Sequence, residues 1–70
     1  MGKINDTLER VSIIRKLMKS RHITQQMLAD ALHYDPRTIR RWFKEGIRDI
    51  DLLFEIAKFI GVHLNDILYS

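Results

Sequence analysis

The sequence predicts an all-α fold of five short helices. Apolar residues recur at helical spacing from end to end, and no segment alternates as a half-buried strand would. The single Pro and the three Gly fall where helices should start or stop. Seventy residues allow one domain at most, with a core that must pack efficiently because no cysteine is present to staple it.

The first helix is expected from about Thr7 to Arg21, capped by Asp6 or Asn5, with Leu8, Val11, Ile14, Leu17 and Met18 inward and Ile13 at the border. The second begins with Thr24 as cap and runs through Leu32, turning Met27, Leu28, Ala31 and Leu32 toward the core. His33, Tyr34 and Asp35 can only be a turn. Asp35 then caps a third helix whose first residue is Pro36, where a missing amide costs nothing, and which ends near Gly46. Asp49 caps a fourth helix, expected over residues 50–60, with Ile50, Leu53, Phe54, Ile56, Ala57 and Ile60 on its apolar positions and Gly61 as a left-handed stop. A last short helix is expected from about Leu64 to Tyr69.

Charge is segregated along the chain. The net +3 resolves into +4 over residues 1–22, −2 over 23–36, +4 over 37–48 and −3 over 49–70. Such a distribution suits a protein that meets a polyanion with one side and water or itself with the other. The sharpest pattern lies in the third helix. At about 100° per residue, Ile39, Trp42 and Phe43 cluster on one side, Arg37, Arg41 and Lys44 on the opposite side, and Arg40 on a flank.

A helix anchored on one side and cationic on the other has what reading the DNA major groove requires. Arg bonds guanine O6 and N7 together, so Arg37 and Arg41 are the expected base readers. Arg40 and Lys44 suit phosphates, and Gln25, at the start of the second helix, suits another. Trp42, beside Ile39 and Phe43, is expected in the core rather than stacked on an unpaired base.

The residues also carry a resemblance over about Ile13 to Leu68. The run Thr24-Gln25-Gln26-Met27-Leu28-Ala29-Asp30-Ala31-Leu32, then Thr38-Ile39, then Leu53 to Val62 and Leu64-Asn65-Asp66-Ile67-Leu68 resemble the Cro and lambda-repressor type of helix-turn-helix regulator, the Xre family. The resemblance implies a five-helix lambda-repressor-like domain that binds double-stranded DNA through its second and third helices, usually as a homodimer on a palindromic operator. By position it implies base contacts from Pro36, Arg37 and Arg41, and phosphate contacts from Gln25 and the loop after the third helix. Pro36 has no polar group to offer. The loop contact falls on Arg48, in a connection from Ile39 to Asp49 one residue shorter than usual. His22 and His33 stand where members usually have turn glycines. Many members also bury an Arg–Glu pair at the positions of Met18 and Phe43. Here both are apolar, a paired exchange that desolvation energetics tolerates, and the two side chains are expected to touch.

The expected function is a Cro-like repressor acting through operator occupancy, without a small-molecule effector. Ile67, Leu68 and Tyr69 either form a dimer seam or cap the core. A protein-interaction module, an antitoxin-type accessory subunit and a recombination-accessory DNA-binding protein share this outline. His22, His33 and His63 are not spaced as helical metal ligands, and no cofactor or catalytic constellation is expected. The longest apolar runs are only a few residues and no signal region is evident, so a cytoplasmic protein with no membrane partner is expected.

Overall fold

A computed structural model describes residues 4–69; Lys3, counted above in the N-terminal charge, lies outside them. Among the described residues there are five helices, α1 (Thr7–Ser20), α2 (Gln25–Leu32), α3 (Pro36–Glu45), α4 (Ile50–Ile60) and α5 (Asn65–Leu68). No helix among them is long and apolar enough to cross a membrane.

The caps explain these limits. Asp6 accepts from the amides of Leu8 and Glu9, Thr24 from Met27, Asp35 from Arg37, and Asp49 from Asp51 and Leu52, so each long helix opens on a side chain that satisfies free amides. His22 (φ 58°) and His33 (φ 62°) take the left-handed conformation at the ends of α1 and α2, as their positions in the sequence suggest. Gly61 closes α4 the same way, donating its amide to Ala57. α5 is shorter than expected, because Leu64 serves as its cap.

The core is built from Val11, Ile14, Met18, Leu28, Ala29, Ile39, Phe43, Ile47, Leu52, Leu53, Ile56, Ala57, Ile60 and Ile67. α3 is central to it, packing on both α1 and α2, while α2 also packs on α4 and α1 on α5. The buried faces are rotated from those the sequence pattern indicates. In α2 it is Leu28 and Ala29 that are buried, while Ala31 is exposed and Leu32 half-buried. α2 is gripped from two sides, by α3 and α4, and the small Ala29 faces inward between its neighbours. Met27, expected inside, is 44% exposed; its thioether turns back toward the Thr24 amide at 3.5 Å. In α4, Leu52 is buried, whereas Ile50 and Phe54 are exposed. Leu8 of α1 is also exposed, because the start of α1 meets the α3–α4 loop through Thr7 instead.

Ile67 is fully buried, which removes it from any dimer seam and leaves Tyr69 and half-buried Leu68 at that end. The two chain ends are joined by contacts the sequence did not reveal. Asn5 is buried, its Nδ2 donates to the Ile67 carbonyl at 2.9 Å, and its amide donates to Leu68 at 2.7 Å. Ile4 and Tyr69 complete this as an isolated antiparallel bridge.

The α3–α4 loop is fastened to α1. The Ile47 amide donates to the Thr7 carbonyl, and Arg10 donates through Nη1 to the Ile47 carbonyl and through Nε to that of Asn5. Arg10 is therefore a structural clasp rather than part of a cationic surface. Gly46 makes the approach possible: at φ 102° and ψ 161° it occupies a region open essentially to glycine, and a Cβ there would lie 2.5 Å from Thr7 Oγ1.

Two glycine substitutions compare an uncrowded left-handed stop with a crowded and more strained loop position. Gly61→Ala meets nothing within 4 Å and carries only the positive-φ penalty of about 1–2 kcal/mol. Gly46→Ala adds the collision with Thr7 to a larger backbone strain and should cost clearly more in urea unfolding. Equal losses would mean that the loop does not press on α1.

Candidate nucleic-acid interface

α2 and α3 are joined by a turn in which the amides of His33 and Tyr34 both donate to the Ala29 carbonyl. Asp35 restarts the chain as a helix. Its carbonyl accepts from Thr38 and Ile39, and its Oδ1 accepts from the Arg37 amide at 2.8 Å. Pro36 follows at the first position, its φ already helical.

From there α3 is strictly two-sided. Ile39 is fully buried and Phe43 nearly so, while Arg37, Arg40, Arg41 and Lys44 are all exposed. Trp42 is half-buried against the core. Its ring meets Tyr34 edge to face at 4.9 Å, a pairing within the turn that apolar periodicity could not reveal because Tyr34 is outside any helix. The cations thus share one outward arc, and the anchor that aims them lies directly behind.

Arg37 is not idle on that arc. Its Nε and Nη2 donate to the Asp35 carboxylate at 3.4 and 3.3 Å, so the side chain folds back over the start of its own helix. The Arg37 hydrogen bonds, side-chain first and then backbone, hold the Asp35 carboxyl below the usual carboxylate range, and the guanidinium is raised in turn. With the Arg37 side chain 83% exposed, water competes strongly for this pair, which makes it readily exchanged for another anion. Arg41 has no ion-pair partner among the described residues and stands exposed.

The remaining expected contacts are dispersed around α3. Gln26 bonds Asp30 at 2.9 Å, whereas Gln25 is half-buried and lines a groove with Arg15, Met18, Lys19, Ile23 and Phe43. Met18 and Phe43 share the core cluster as well as that groove. Arg15, which sequence reasoning passed over, sets its guanidinium 5.1 Å from the centre of the Phe43 ring. Arg15 lies one turn before Met18, a spacing that could have shown it. Arg48 is exposed on the far flank, in a groove it shares with Glu45 and Asp49. Among the described residues no group of His, Cys, Asp and Glu is arranged to hold a metal ion.

The Asp35–Arg37 pair gives a pH signature. Because the folded carboxyl is depressed, its contribution is complete above the usual carboxylate range and is lost as pH falls through the folded value. Asp35→Asn keeps a good cap while removing the charge. The variant should unfold at lower urea than the parent at neutral pH, with the gap closing in acid; a gap unchanged by pH would show that the pair contributes nothing.

A profile of the helix-turn-helix family, of Xre/Cro type, matches residues 14–67. No curated protein matches the chain. The matched segment holds the α2–turn–α3 pair, the second half of α1 and all of α4, in an all-helical arrangement of lambda-repressor type. The chain belongs to the Xre/Cro-type helix-turn-helix family of DNA-binding transcription regulators.

Proposed function

We propose that this protein is a sequence-specific repressor of Cro type that lays α3 in the DNA major groove, with Arg37 and Arg41 reading bases. The observation that carries this is the exposed arc of Arg37, Arg40, Arg41 and Lys44, set opposite the buried Ile39 and Phe43. Arg41 reaches a guanine edge directly. Arg37 does so by trading Asp35 for the base, an exchange between two exposed, hydrated partners. Arg40, Lys44 and Gln25 bear on phosphates and fix the register. Arg48 contributes least to phosphate binding, since Glu45 and Asp49 in its groove repel the backbone.

One copy presents one short recognition helix. Two copies related by a two-fold axis would place two such helices in half-sites about 34 Å apart, the separation of successive major-groove turns. A palindromic operator is the corresponding target. The protein-interaction alternative draws on a different feature, the exposed Ile50 and Phe54 beside the acidic start of α4. It gives the α3 cations no task.

Selection of bound duplexes from a random pool tests the assignment. Arg37→Ala and Arg41→Ala should each relax preference at one base position, by about 5- to 150-fold against the preferred base. Arg40→Ala and Lys44→Ala should weaken all sequences alike. Sequence-blind losses of equal size in all four would overturn base reading by α3.

A further inference from the structure

We propose that Arg15 and Lys19 of α1 form, with Gln25, a phosphate-binding shelf that extends the DNA interface from the helix-turn-helix onto the first helix. This rests on α3 meeting DNA as proposed above.

The shelf is the groove of about 330 Å³ between α1, α2 and α3, with Met18, Ile23 and Phe43 as its apolar floor and Arg15, Lys19 and Gln25 as its polar lining. Neither cation has an ion-pair partner among the described residues, where the ion pair joins Arg37 to Asp35 at the start of α3. Arg15 and Lys19 lie four residues apart on one helix, a spacing at which like charges repel, and an anion between them would relieve that repulsion. Arg15 is also held in place: its guanidinium rests over the Phe43 ring at 5.1 Å. A ring face orients the cation without cancelling its charge, leaving its donors available to phosphate oxygens.

The direction of the positive surface supports the same assignment. Around α3, at about 100° per residue, Arg40 and Lys44 are the exposed positions next to Phe43. The cationic arc therefore runs on from α3, past Phe43, to Arg15 and Lys19. On the opposite flank, beyond Trp42, stand Glu45, Asp49, Asp51 and Glu55, against the single cation Arg48. A polyanion seated on α3 is repelled on the α4 side and drawn toward α1.

The test is salt dependence of binding to two duplexes, one selected by the parent protein and one of scrambled sequence. For every phosphate that a variant no longer neutralises, the plot of log affinity against log salt should become shallower by about 0.9. The double variant Arg15→Gln, Lys19→Gln should therefore flatten the slope by about 1.8 on both duplexes and keep the parent's base preferences. Lys19→Gln alone, at an exposed site, should flatten it by about 0.9 even if replacing Arg15 loosens its packing over Phe43. Unchanged slopes in both variants, while Arg41→Ala still relaxes base preference, would overturn the shelf and leave the α3 reading standing. A parent protein that binds neither duplex would overturn both.

Discussion

Everything outward-facing on this protein depends on the burial of Ile39 and Phe43. In a chain of seventy residues the helix that carries the cations is also part of the core, so its orientation cannot vary without unmaking the fold. Truncating such a buried side chain costs about 2–5 kcal/mol, against a total stability of about 5–15 kcal/mol for a protein domain. So large a share of the total holds the α3 backbone in place, which is the rigidity that matters for recognition. Its backbone is presented at a fixed angle, so only the exposed arginine side chains remain to be ordered when a ligand arrives. Trp42 against Tyr34, and Gly46 against Thr7, secure the two ends of the same helix.

Around this anchor the electrostatics are lopsided. Cations occupy the outer arc of α3 and continue onto α1, whereas acidic groups gather at the end of α3 and the start of α4. Arg10, which looks like one more positive charge in the sequence, is withdrawn from that surface by its bonds to the Asn5 and Ile47 carbonyls. The apolar character of Met18 and Phe43 has a consequence of the same kind. Neither residue consumes a positive charge from α1, and the Phe43 ring supports Arg15 without neutralising it.

What could be read from the sequence was local. Asp6, Thr24, Asp35, Asp49 and Gly61 act within one helical turn, so the limits of α1 to α4 follow to within a residue from chemistry carried by neighbours in the chain. The same is true of the two faces of α3, which its strong segregation of charge makes plain. The rotation of α2 and α4 was not legible, because the choice between Ala29 and Ala31, or between Leu52 and Phe54, is made by the helices packed against them. The clasp from Asn5 to Ile67 spans nearly the whole chain and has no local signature. At the candidate interface, the exposed positions of Arg37, Arg40, Arg41 and Lys44 were readable, but the fold-back of Arg37 onto Asp35 and the stacking of Arg15 on Phe43 needed three dimensions.

The central claim is that α3 keeps one side in the core while the other meets DNA. It is tested most directly by nuclear magnetic resonance of the labelled protein titrated with a short duplex. The largest shifts should fall on the side-chain N–H groups of Arg37, Arg40 and Arg41, while the methyl resonances of Ile39 and the outer face of α4 stay in place. Shifts centred on Ile50, Phe54 and Phe59, with the α3 arginines unmoved, would contradict it.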